Sequence, residues 1–322
     1  MTQHEPNPGQ DPVLPRNDDA RHQPMGDFAP GAVMSGYHMD LRGVAGSYGT
    51  PEEAEAWLDL LVARREYSMP VSILQLGLGA WQRSVDPQDP DRAGWSRLAR
   101  LVADWAAVDM DGHGRFTHHQ PMPHTYAIAG GWHSAMAQGL GASLLSRHDL
   151  PADAERATDS LIHAKHGLIS CGKHGPILEE YPAEPRPHVL NGWIWALFGL
   201  YDVAHSPDEY LDVDFRAEAA AAYAAGVASL VGDLAEYETG RGWSTYDRYP
   251  HPIANVASPF YHRLHVDMLR ALARIAPEGE QVDELLATSD RWEAALARPM
   301  TRATAVARKV GFRIVKPRRK AA

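Results

Sequence analysis

One cysteine in 322 residues, Cys171, leaves no partner for an intramolecular disulfide. Nothing therefore calls for an oxidising compartment. No apolar run approaches the ~20 residues that a membrane-spanning helix needs. The N-terminus lacks the charged-then-apolar pattern of a secretory leader, so a cytoplasmic location is the default expectation. Positive charge is not in excess either: 31 Lys and Arg against 41 Asp and Glu give a net charge of −10. That balance argues against general nucleic-acid binding. An anionic small molecule or polysaccharide stays admissible, because a local basic cleft can outweigh the mean. Residues 1–30 hold few apolar side chains among many Pro, Asp, Gln and His, and disorder is expected there.

Strand patterns are scarce as well, and helical patterns fill the chain. Residues 31–50 form a short irregular or β-like entry with five glycines. Thr50-Pro51-Glu52-Glu53 is a capping-box start, with a helix to about Arg65. Further helices are expected over Pro70–Trp81, Ala93–Val108, Trp132–Ser146, Pro151–Leu168, Phe215–Tyr237, Phe260–Ile275 (capped by Ser258-Pro259) and Gln281–Leu296. Ser206-Pro207-Asp208-Glu209 marks a capped turn, and a basic tail containing Arg302, Arg308, Lys309 and Arg313 follows Thr301. Buried and amphipathic helices alternate, and loops of roughly 10–20 residues precede the buried ones, longer than bundle loops usually are. This predicts an all-α fold, an (α/α) toroid or incomplete barrel, with the loops gathered on one rim. The domain map is a disordered segment 1–30, one toroid domain 31–298 and a basic tail 299–322.

The chain is organised around residues 178–202, LEEYPAEPRPHVLNGWIWALFGLYD. Glu179, Glu180 and Tyr181 precede Pro182, and Pro185 and Pro187 keep that loop stiff. Pro187 sits where a helix can start without a backbone donor. From Val189 onward the pattern is apolar almost all round, as in a buried helix. A rigid loop of titratable groups at the mouth of a buried helix suits a catalytic site. It equally suits a helix N-terminus that collects acids for its dipole.

Two further segments, 243–251 and 258–265, are polar and aromatic. Tyr261 and His265 share a helix face, with His262 turned about 100° away. The His262/His265 spacing could hold zinc, but no glutamate of a zincin motif accompanies it. The turn DMDGHGR lacks the bidentate glutamate of a calcium loop. His118, His119 and His124 read better as a solvated loop than as ligands, and Cys171 as a packed or surface cysteine. No metal and no cofactor is expected.

Four segments in order carry a resemblance. GGWHSAMAQGLGASLL (130–145) is similar to the GG/W-x-SAMAQG segment of the glucuronyl C5-epimerase family. EEYPAEPRPHVLNGWIWALFGLYD resembles that family's EEYP…VLNGFI…GLYD signature, with Tyr181 and Asn191 at its spacing. GRGWSTYDRY (240–249) is similar to G-x-G…YD-x-R, and FYHRLHVDML (260–269) to YH-x-x-H-I-x-x-L. The match spans 130–270. Animal members carry β-rich domains before the helical one, for which this chain has no room. Its Arg248 also stands two residues after Tyr246, where the family's arginine stands three after.

The resemblance implies a helical catalytic domain that inverts C5 of D-glucuronate to L-iduronate in a heparosan-like or other glucuronate polysaccharide. Such inversion removes a proton beside a carboxylate on one ring face and returns one on the other. It needs two acid–base groups and a cation for the dianion formed. The resemblance gives these roles to Tyr181 and Tyr246, with Tyr261 a third tyrosine and Glu180 a relay or base. Arg248 becomes the carboxylate clamp. His262, His265, Arg186, Asn191 and Gln138 become substrate-binding. The expected partner is an anionic glucuronate-containing polysaccharide, with a homodimer left open. Three alternatives stay open: a uronate lyase, a glycoside hydrolase using Glu180 and Asp247, and a non-catalytic glycan-binding protein.

Overall fold

The computed structural model describes residues 22–30, 35–65, 69–122, 125–207 and 211–317. In chain order its helices are α1 (Arg42–Gly46), α2 (Pro51–Ala63), α3 (Pro70–Val85), α4 (Arg92–Asp109), α5 (Ala135–Ser146) and α6 (Pro151–Ile162). Then come α7 (Leu190–Ala204), α8 (Val213–Asp233), α9 (Pro259–Ala273), α10 (Glu280–Ala297) and α11 (Pro299–Val315). Two small antiparallel hairpins interrupt them: β1 (Ile169–Cys171) with β2 (Pro176–Leu178), and β3 (Glu238–Thr239) with β4 (Trp243–Ser244). The fold is all-α, as the patterns predict.

Local chemistry places the starts. Thr50 and Glu53 close the capping box of α2, at 3.3 Å and 2.8 Å. Ser258 caps α9 by accepting from the Tyr261 N–H at 3.3 Å. The inner layer runs α3, α5, α7, α9, each packed on the next, with α4, α6, α8 and α10 laid against the outside. Every residue of α5 is buried, and in α7 all from Leu190 to Val203, as apolar-all-round sequences require. The α5–α7 pair is the closest. A Cβ on Gly199 would stand 2.4 Å from the Gly139 Cα, so both helices need glycine where they touch. Gly199→Val is expected to overpack this contact and destabilise by about 1–3 kcal/mol or more, read as a lower thermal midpoint.

Several elements differ from expectation. Helix α6 stops at Ile162, where His163 turns extended and Ala164–His166 form a separate 3-10 turn ahead of the β1–β2 hairpin. Pro187 does not start α7. His188 first takes a left-handed φ of 49°, held by Glu179, whose carboxylate accepts from the His188 backbone at 3.2 Å and meets its Nδ1 at 2.6 Å. The stretch 22–30 is ordered: Met25 bridges Met39, and Phe28 is buried against His38 and Tyr201. Residues 1–21 and 208–210, the latter part of the expected Ser206–Glu209 turn, lie outside the described residues. The basic segment after Thr301 is helix α11, docked by Ala305 and Phe312 one heptad apart on one face.

Beneath the helices lies a buried charge network. Asp202, at the end of α7, meets Arg147 Nη1 at 2.5 Å and His38 Nε2 at 2.8 Å. Arg147 also donates to the Ser143 and Gly36 carbonyls at 2.9 and 3.0 Å, tying the N-terminal entry to α5 and α7.

Candidate active site

The inner helices α5, α7 and α9 are each entered from a long loop, and the three loops are stitched together. Glu179 O accepts from Ala135 N at 2.9 Å, Tyr246 O from Leu190 N at 3.3 Å, and Pro187 O from Arg248 N at 2.8 Å. This brings Tyr126, Tyr181 and Tyr246 from separate loops beside Tyr261 in the first turn of α9. Tyr181 packs 5.0 Å from Tyr126 and 5.3 Å from Trp132, centroid to centroid. Tyr246 meets Tyr261 edge-on at 4.8 Å.

The polar groups form two hydrogen-bonded lines. In the first, Tyr246 is bonded to Tyr181 and Tyr181 to Glu180. Glu180 also accepts from Asn191 Nδ2 at 3.3 Å and from the Gly192 backbone N–H in the first turn of α7. Gly192 has to be glycine, since a Cβ there would come within 2.4 Å of Glu180. In the second line, Asp247 Oδ2 accepts from Tyr126 and Asn255, both at 2.5 Å, and lies 3.3 Å from His251 Nε2.

Burial sets the electrostatics. Glu180 is 6% exposed; desolvation, with Asp247 adding to it, pushes its carboxyl up to about 7 against the pull of Tyr181, Asn191 and Gly192. Burial, then the Glu180 charge, raises Tyr181 and Tyr246 well above 10. Burial and the Asp247 charge do the same to Tyr126. At neutral pH these tyrosines are proton donors, and Glu180 is the group poised to exchange a proton.

Residues 110–294 match the family described as "D-glucuronyl C5-epimerase C-terminus". The chain belongs to that family. A Caenorhabditis elegans protein named "D-glucuronyl C5-epimerase" is 34% identical over 215 residues, covering 59% of this chain and 33% of the relative. The chain thus spans about a third of the length of that curated relative. The family region holds all four motifs and both hydrogen-bonded lines, and ends before α11 begins.

The expected site residues divide sharply. Tyr181, Glu180, Tyr246, Tyr261 and Asn191 come together. Arg248 does not face them: its guanidinium binds Asp233 Oδ2 at 2.6 Å, contacts Glu236, and lies over the Tyr237 ring. Buried Asp233 and exposed Glu236 hold it there, so in this structure its guanidinium braces the loop. Arg186 is drawn to the Gly167 carbonyl at 3.3 Å and to Glu184. Gln138 is fully occupied inside the fold, accepting from Phe116 N and donating to the Gly114 and Ala157 carbonyls at 2.7–2.8 Å. It secures the 110–116 turn.

The histidines support the α9 end. His262 Nδ1 accepts from Ser244 N at 3.1 Å, its Nε2 lies 2.9 Å from Trp292 O, and its ring stacks on Trp243. His265 reaches Ser244 Oγ through Nδ1 at 2.9 Å, while its buried Nε2 has no partner among the described residues.

Sequence reasoning missed Tyr126, Asn255, His251 and Lys309. Tyr126 closed a histidine-rich loop whose solvation looked sufficient. Lys309 lay in the basic tail, where the spacing of Ala305 and Phe312 was the available sign of a docked helix. Of the expected loop histidines, His118 stacks on Trp132 and lies buried, and His124 lies outside the described residues.

Proposed function

We propose that this chain inverts C5 of D-glucuronate to L-iduronate within an anionic polysaccharide. The observation that carries the reading is the line Tyr246–Tyr181–Glu180, ending on a carboxyl near 7. Removing the C5 proton leaves its electron pair delocalised into the adjacent carboxylate. A tyrosinate base would be costly in this buried setting, because its hydroxyl is held well above 10. Tyr181 therefore acts as a relay. As its oxygen takes the C5 proton, its own proton passes to ionised Glu180. Tyr246 gives a proton to the opposite face and is reprotonated through Tyr181 from protonated Glu180, which leaves Glu180 ionised again.

Asp247 is engaged by Tyr126, Asn255 and His251, which supports a bracing role over that of a hydrolase nucleophile. Asn191 Oδ1 and His265 Nε2, buried without partners among the described residues, are suited to sugar hydroxyls.

The test is incubation of glucuronate polymers in D₂O with NMR at C5. Deuterium at C5 with conversion to iduronate is expected. An unsaturated end would mean a lyase, a new reducing end a hydrolase, and binding without any product a glycan-binding protein. Glu180 acts ionised, so kcat/KM should rise with pH through about 7 and fall on the acid side. Glu180→Gln should abolish that limb along with the activity.

A further inference from the structure

Arg248, the expected carboxylate clamp, and Arg186, an expected substrate-binding residue, are both turned to other partners. The tyrosine cluster already contains the carboxyls of Glu180 and Asp247, so admitting a further anion beside them requires compensating positive charge. Helix α11, outside the family region, brings a cation there. Ala305 and Phe312 dock that helix, with Phe312 edge-on to His251 at 4.9 Å. Lys309 stands four residues after the first and three before the second, so it must project into the same interface.

Its ammonium arrives 5.6 Å from the Tyr246 ring centroid and 5.3 Å from that of Phe312. Nζ donates to Asn255 Oδ1 at 2.7 Å, and Asn255 in turn donates to Asp247. Its charge reaches His265 on α9 as well. The residue is half-buried.

We propose that Lys309 binds the carboxylate of the glucuronate residue whose C5 is inverted, making α11 part of the substrate site. Lys309 is then a catalytic residue for the dianion and the source of preference for uronate over neutral sugar. This rests on the epimerase reading for its catalytic half; the binding half is measured separately.

The experiment uses the full chain with Lys309→Met, Lys309→Gln and Lys309→Arg. Methionine keeps the stem without charge, glutamine keeps a donor for Asn255, and arginine keeps the charge. The probes are a glucuronate polymer and the same polymer with its carboxyls reduced to alcohols. Binding to each is measured by calorimetry, and C5 exchange by NMR in D₂O. Wild type should prefer the carboxylated polymer. Methionine and glutamine should each cost that polymer ~10- to 100-fold in affinity, as for a lost hydrogen bond to a charged group, with the reduced polymer unaffected. Arginine should restore much of the preference.

A Lys309→Gln protein that binds and exchanges like wild type would make Lys309 a tether for Asn255 and overturn the proposal. So would equal losses on both polymers. Wild type that prefers the carboxylated polymer yet exchanges no C5 proton would refute the epimerase reading, while the binding preference would still decide Lys309.

Discussion

Tyr181→Phe is expected to lower C5 proton exchange by about 10²-fold or more, the usual scale for a lost acid–base group. The change removes one oxygen and keeps the ring that packs on Tyr126 and Trp132, so the fold should persist. What disappears is the middle of the line from Tyr246 to Glu180. Tyr246→Phe removes its outer end. The two variants need not behave alike. An enzyme with one group per ring face, deprived of one, can still exchange the C5 proton of one epimer without inverting it. Deuterium wash-in measured separately from glucuronate and iduronate substrates separates the faces. Inversion at near wild-type rates in both variants would reduce the tyrosines to aromatic walls.

The second large effect is on stability. Arg147→Met is expected to destabilise the protein by about 3–5 kcal/mol, because it leaves the Asp202 charge buried without its guanidinium. Asp202 is 0% exposed, and its carboxylate would be left with His38. At roughly 2–4 °C per kcal/mol for a chain of this class, the thermal midpoint should fall by on the order of 10 °C. A fall of only a degree or two would mean that the network contributes little.

The same network fixes a pH sign. Burial alone would raise the Asp202 carboxyl, but Arg147 and His38 outweigh it and hold it at about 2 against an ordinary 3.8. Its share of stability is therefore present above about 3.8 and lost as pH falls towards 2. Burial lowers His38 below its ordinary 6.5, so the cost of charging it opposes folding as pH drops below that value. Both act in one direction. Stability should therefore fall more steeply with acid in wild type than in Asp202→Asn/His38→Gln, which is less stable at neutral pH because Arg147 loses its counter-ion but in which neither group titrates.

The sequence by itself determined most of the helices and much of the cluster. Capping signals are local, so Thr50-Pro51-Glu52-Glu53 and Ser258-Pro259 start α2 and α9 where they stand. Apolar-all-round stretches can only be buried, so α5 and α7 are inner helices. The motif loops precede the inner helices, and inner helices laid side by side bring the entering loops to one end, so Tyr181, Tyr246 and Tyr261 meet. The sequence did not say where charged side chains turn. Arg248 sits two residues from Tyr246, but its partners are Asp233 and Glu236, and only the packed structure puts them within reach. Gln138 and Asp202 belong to motifs yet spend their polar atoms inside the fold, since each buried polar group must find a partner. Lys309 lies 63 residues after Tyr246, and a pattern of local spacing cannot register such a contact. Docking of α11 through Ala305 and Phe312 decides it.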